Sequence, residues 1–115
     1  MATIDPVAQA AALVSLSNAY QAADAAYMAA YGANAAAPEL PSLQAARNHA
    51  LIAYLTATKE SLVNNSSFTK QIKQQLDAAT TSINGQLTTL KNTAQWLTLV
   101  TNLVNLAGSL ASAFA

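Results

Sequence analysis

In the first part of the chain, small and large side chains recur at the spacing of two neighbouring faces of a helix. Between residues 6 and 31, small side chains are spaced in steps of four and three, and larger ones follow the same steps beside them. Residues three and four apart share one face of an α-helix. The small face comprises Ala8, Ala12, Ser15, Ala19, Ala22, Ala26, Ala29 and Ala33, and the large face comprises Leu13, Leu16, Tyr20, Ala23, Tyr27 and Tyr31. This spacing predicts a helix over about 6–31, capped by Asp5 and ended by Gly32.

A second helix with the same two faces is expected after a segment that contains two prolines. Pro38 and Pro41 restrict the backbone, so residues 33–41 are predicted to be a linker. Ser42 would then cap a helix over about 42–63. Because small side chains let helices approach closely, the two helices are predicted to form an antiparallel hairpin.

The remainder of the chain carries one long helical period. After the polar loop that ends at Ser66-Ser67, apolar positions from Phe68 to Leu97 recur by threes and fours without losing phase. Phase continuity favours one long helix over about 67–114, bent at Asn84-Gly85. The alternative is a tight turn at 84–85 that makes two helices. In either case the sequence predicts a single all-α domain, 1–115, that forms a helical bundle or a coiled-coil assembly.

The segment 92–115 is a helix without any ionisable side chain. Its polar residues form one stripe, made up of Gln95, Thr98, Asn102, Asn105, Ser109 and Ser112. The rest of its surface is apolar and too wide for a helix with one buried side. Candidate subunit contacts on this apolar arc are Trp96, Leu99, Val100, Leu103, Val104, Leu106, Leu110 and Phe114, and Tyr20, Tyr27 and Tyr31 are added from the first helix.

Three environments would shield this apolar arc from water. It would be buried between sister subunits, with the polar stripe lining a lumen or forming hydrogen bonds between chains. It would form the core of a monomeric four-helix bundle, which requires the turn at 84–85. It would cross a bilayer, although Asn102 and Asn105 near its middle disfavour a membrane span. Burial between subunits is the preferred interpretation.

Composition narrows the possible partners. Charged residues make up 9% of the chain, against about 25% in an ordinary soluble domain. The net charge is +0, which disfavours nucleic acid as a partner because duplex binding needs clustered cations. There is no cysteine for disulfides or thiolate metal sites. The N-terminus does not resemble a cleavable signal peptide, so synthesis in the cytoplasm is expected, with assembly at or beyond the cell surface or in a virion.

The sequence offers little for catalysis. His49 is the one histidine, and no cysteine or acid at helical spacing completes a metal or acid–base site around it. The five carboxylates are spread along the chain, and Asp77 is expected to pair with Lys73 one turn earlier. We therefore expect no enzyme activity, no cofactor, no metal and no identifiable small-molecule substrate.

The function predicted from the sequence is structural. The chain would be a self-assembling subunit of a homo-oligomer or filament, such as a needle, pilus-like fibre, sheath or virion layer, with itself as the partner. The alternative is a membrane-active or pore-forming helical protein, in which the polar stripe faces water and the apolar arc meets lipid. A helical-bundle ligand binder or enzyme of unknown chemistry is a second alternative.

Overall fold

Four helices form the described part of the protein. The structure, a computed structural model, describes residues 6–87 and 92–115. The helices are α1 (Pro6–Ala33), α2 (Leu40–Thr58), α3 (Ser67–Gln86) and α4 (Thr93–Ala111). The all-α prediction is therefore confirmed at the level of fold class, and the molecule is an elongated bundle that measures 52 × 22 × 17 Å.

Contacts at the two ends of the bundle give the helix directions. At one end, the backbone N–H of Leu62, which follows α2, donates to Oε1 of Gln9 in the first turn of α1 over 2.9 Å. Leu62 also pairs with Phe114, just after α4. At the other end, the Thr93 hydroxyl donates to Oε2 of Glu39 over 3.1 Å, which joins the starts of α4 and α2. The helices therefore run alternately up and down.

The order of the helices around the bundle is α1, α2, α4, α3. Each helix contacts its two neighbours in this order, and α1 also contacts α4 across one diagonal. Within the described residues, α2 and α3 stay apart on the other diagonal. The buried residues of α1 explain the short diagonal, because they are Ala12, Ser15, Leu16, Ala19, Ala22, Ala23, Ala26 and Ala30. Small side chains allow the helix axes to approach closely.

The prediction of one long helix over 67–114 is wrong. The backbone remains helical through Asn84-Gly85, without a bend or turn there, and α3 ends at Gln86. A new helix begins at Thr93, where Oδ1 of Asn92 accepts hydrogen bonds from the N–H groups of Ala94 and Gln95. Two antiparallel helices bury their apolar faces against each other, whereas one continuous helix would leave both exposed.

The predicted boundaries of the first two helices also need correction. Gly32 lies within α1 and has no positive φ, so it does not end the helix. The connection covers residues 34–39 rather than 33–41, because Pro41 fits the first turn of α2, where its missing N–H is no loss. Ser42 is consequently inside the helix and is not its cap. Ser66 caps α3, where its hydroxyl oxygen accepts from the N–H of Thr69, whereas Asp5, the predicted cap of the first helix, lies outside the described residues.

Residues 59–66 cross the end of the bundle, because α2 and α3 are not neighbours. This crossing segment is held by the residues after α4. Ser61 and Ala115 exchange two backbone hydrogen bonds of 3.2 and 2.9 Å, and Val63 donates to the carbonyl of Ala113 over 3.0 Å. Leu62 of this segment and Phe114 after α4 are both buried. The pairing closes one end of the core.

Candidate functional site

The polar stripe of α4 faces outward, whereas most of its apolar arc faces the interior of the bundle. All six residues of the polar stripe, from Gln95 to Ser112, are exposed. On the apolar arc, five residues are buried within the chain itself, namely Trp96, Val100, Leu103, Leu110 and Phe114. The other three, Leu99, Val104 and Leu106, are half-buried. The chain therefore covers most of the surface that was assigned to sister subunits or to lipid.

Of the three tyrosines proposed as contact residues, Tyr27 and Tyr31 lie where α1 meets α2. Tyr20 and Tyr27 are half-buried, while Tyr31 is exposed, and the Tyr27 and Tyr31 rings are 6.4 Å apart. Arg47 of α2 places its guanidinium 5.2 Å from the centre of the Tyr27 ring. The same Arg47 lies 3.3 Å from Oδ1 of Asp24. This cluster links two helices, and a cation over a tyrosine face is a common contact at such a junction.

His49 lies at the surface, in a groove of about 250 Å³ between α2 and α4. Its neighbours along this groove are uncharged, and they include Thr101 and Asn105 of the opposite helix. Acid–base catalysis by a histidine generally needs a second group that orients its ring or accepts its proton. Within residues 6–87 and 92–115, no group of three histidine, cysteine or acidic side chains is placed to hold a metal.

An open groove lies between α1 and α3, with a volume of about 750 Å³. We call it the α1/α3 groove. Its α1 wall comprises Ala11, Val14, Ser15, Asn18, Gln21 and Ala25, and its α3 wall comprises Lys73, Asp77, Thr80, Thr81 and Asn84. These residues run along about four turns of α1 and about three turns of α3. The groove is therefore long and shallow, which suits a helix better than a compact ligand.

The polar groups of the α3 wall already bond within their own helix. The ammonium of Lys73 lies 2.8 Å from Oδ2 of Asp77, which confirms the pair expected from the sequence. The hydroxyls of Thr80 and Thr81 donate to the carbonyls of Leu76 and Asp77, over 2.9 and 3.0 Å. None of these groups is arranged as an activated nucleophile, so the wall presents a neutral polar surface.

A third face of α1 points outward and includes most of the α1 wall of this groove, and the sequence reasoning missed it. It comprises Val7, Ala11, Val14, Asn18, Gln21, Ala25, Met28 and Gly32, spaced by fours and threes, and we call it the α1 seam. Val14 and Met28 are each 58% exposed. The sequence signal for this face was the spacing of Val7, Val14 and Met28, which are separated by multiples of seven residues. The surrounding alanines obscure this spacing.

No helix within the described residues combines the length and the hydropathy that a bilayer-spanning segment requires. Comparison of the chain with family models, curated proteins and solved structures finds no match.

Proposed function

We propose that this protein is a structural subunit that assembles with copies of itself, and that the outward surface of α1 is where the copies meet. The role is one of shape and contact and not of catalysis. The observation that carries the proposal is the α1 seam, a continuous outward face without a charged side chain on a helix of 28 residues.

Charge distribution supports this proposal. A helix on the surface of a soluble protein usually carries charged residues on its outward side. Asp24 is the one charged residue of α1, and it pairs with Arg47 of α2 at the edge of the seam. Charged groups are depleted at the centres of protein interfaces because their desolvation is costly. The outward side of α1 has the composition of such a centre.

Assembly through the outward surface of α1 does not require α4. Its apolar arc was the first reason to expect assembly, but the chain's own bundle covers most of that arc. The exposed polar stripe of α4 would remain in contact with water in the assembly, or would form its outer surface. Only the half-buried Leu99, Val104 and Leu106 of α4 are accessible for an additional contact.

The test is the mass of the purified chain in solution. Size-exclusion chromatography with light scattering, run from micromolar to millimolar concentration, should give a mass above 11.9 kDa that rises with concentration. Negative-stain microscopy of the same samples would distinguish a closed oligomer from a filament. The mass of a single chain over the whole range would refute the proposal. Trp96 is fully buried within each chain, so its fluorescence should not change with assembly.

A further inference from the structure

We propose that a second copy of this chain packs its α1 antiparallel against the α1 seam, about a two-fold axis between Asn18 and Gln21. This inference rests on the proposed function and specifies the contact. It commits to a second copy because the seam is complementary to itself, both in side-chain size and in polarity. The same two-fold operation places each α1 along the mouth of the other α1/α3 groove.

The antiparallel arrangement pairs each large side chain of the seam with a small one. With the axis between residues 18 and 21, Val14 lies opposite Ala25 of the second copy. Met28 lies opposite Ala11 in the same way, and Val7 lies opposite Gly32. Large and small side chains in facing positions interdigitate, which is what close packing of two helices needs. A parallel arrangement would instead place Met28 against Met28 and Ala11 against Ala11.

Polar residues fix the register of this pairing. At the centre, the amides of Asn18 and Gln21 face the amides of the second copy and can hydrogen-bond reciprocally. Moving the second copy by one heptad would place Asn18 against Val14 or Met28 and leave an amide unsatisfied, which costs about 1–3 kcal/mol. A single polar position in an apolar seam is a known determinant of helix register.

The charge at the edge of the seam is also compatible with a second copy. Asp24 comes level with Ser15 of the second copy, which carries no charge. No lysine or arginine lies on α1, and two copies therefore meet without repulsion between cations. Within each chain, the amide of Gln21 donates to the hydroxyl of Ser17 over 3.1 Å at the surface, and this bond can be exchanged for one across the contact.

The size of α1 indicates the strength of the contact. A helix of 28 residues is about 42 Å long and roughly 10 Å wide, so its footprint is near 420 Å². A stable interface buries about 800 Å² on each partner, and the α3 wall of the α1/α3 groove must supply the remainder. We therefore expect an equilibrium between one and two copies at micromolar to millimolar concentration. An isologous contact closes at two copies, so a filament would need a second contact.

Disulfide cross-linking tests the orientation, because the chain contains no cysteine. Val14→Cys and Ala25→Cys proteins are prepared separately, oxidised alone and oxidised as a mixture. The antiparallel contact brings residue 14 close to residue 25 of the second copy, within the distance that a disulfide needs. Like residues are about 16 Å apart along the helix axis, from 11 positions at 1.5 Å each. Only the mixture should therefore give a cross-linked dimer of twice 11.9 kDa.

Charge substitutions provide an independent test with a matched control. Val14→Asp places two carboxylates in the seam and should return the mass to that of one chain. Ile52→Asp changes a side chain of equal exposure on α2, 59% against 58%, and should leave the dimer intact. Circular dichroism should show that both variants fold, since neither side chain is buried.

Each outcome bears on one of the two proposals. If wild-type protein is a single chain at every concentration, the proposed function fails and the contact with it. If wild-type protein assembles but Val14→Cys alone cross-links, or the mixture does not, the antiparallel contact is wrong while self-assembly stands. The same conclusion follows if Ile52→Asp, and not Val14→Asp, dissociates the assembly.

Discussion

Replacing Leu103 by alanine tests whether α4 is buried by its own chain. Leu103 is 0% exposed within the four-helix bundle, and its truncation removes three carbon atoms from the core. At about 0.8 kcal/mol per buried methylene, the transfer contribution is roughly 2.4 kcal/mol. The cavity left behind adds to this loss, since comparable substitutions cost about 2.7–5 kcal/mol. We expect the free energy of unfolding to fall by about 3 kcal/mol.

The thermal consequence of this loss can be estimated from chain length. An unfolding entropy of about 2.1 cal/mol/K per residue gives roughly 0.24 kcal/mol/K for 115 residues. A loss of about 3 kcal/mol should therefore lower Tm by about 12 °C. The matched control is Asn102→Ala, at the adjacent but exposed position of α4, which should change the free energy of unfolding by less than about 0.5 kcal/mol.

Urea unfolding, followed by circular dichroism and by the fluorescence of Trp96, would measure both variants. The measurements should be made at low micromolar concentration, so that association contributes little to stability. Equal effects of Leu103→Ala and Asn102→Ala would refute the assignment of the buried face of α4. A loss below about 1 kcal/mol for Leu103→Ala would do the same, because it would mean that the site is not close-packed.

Two further substitutions test the helices and the closure of the bundle. Gly108 lies within α4, and an added Cβ would meet no atom within 4 Å. Gly108→Ala should therefore raise the free energy of unfolding, measured in urea, by about 0.5–1 kcal/mol. A lower free energy of unfolding would contradict this account. Phe114→Ala should lower the free energy of unfolding by about 3 kcal/mol, at the low end for a buried aromatic residue. It should also speed amide hydrogen exchange at Ser61 and Val63, which bond to the backbone beside Phe114. Unchanged exchange at these two amides would show that the crossing segment is held by other contacts.

Side-chain size along α1 made its buried face predictable. The run of small residues from Ala12 to Ala26 was assigned to close helix packing, and these residues are buried in the core. The pairing of Lys73 with Asp77 was predictable for a similar reason, because it depends only on the geometry of one helical turn. Features that arise within a single helix were therefore accessible from the sequence.

The break between α3 and α4 could not be located from periodicity. The apolar positions of both helices share one phase across the connection, so a straight helix and a folded-back pair predict the same spacing. Asn84-Gly85 was the visible breaker, yet glycine is tolerated inside a packed helix at about 1 kcal/mol. The informative residue was Asn92, a favourable helix cap, which was treated only as the first residue of the uncharged segment.

The candidate contact surface was missed for a different reason. The α1 seam differs from the buried stripe of the same helix only by a rotation of roughly 100°, and both contain alanines. Which face points outward is decided by the positions of α2, α3 and α4. A sequence cannot supply those positions before the tertiary arrangement is known.

The close approach of α1 and α4 across the short diagonal limits the volume of the side chains that α1 can bury there. At Ala19, Ala22, Ala23 and Ala26, exposure is 1% or less, and protein interiors are close-packed, so a larger side chain there would have to displace its neighbours. Overpacking a well-filled core costs about 1–3 kcal/mol for each site. Random mutagenesis with selection for folded protein should therefore accept glycine or serine at these positions and reject valine or leucine. Sequences that share this fold would retain small volume there while the identities of the residues drift.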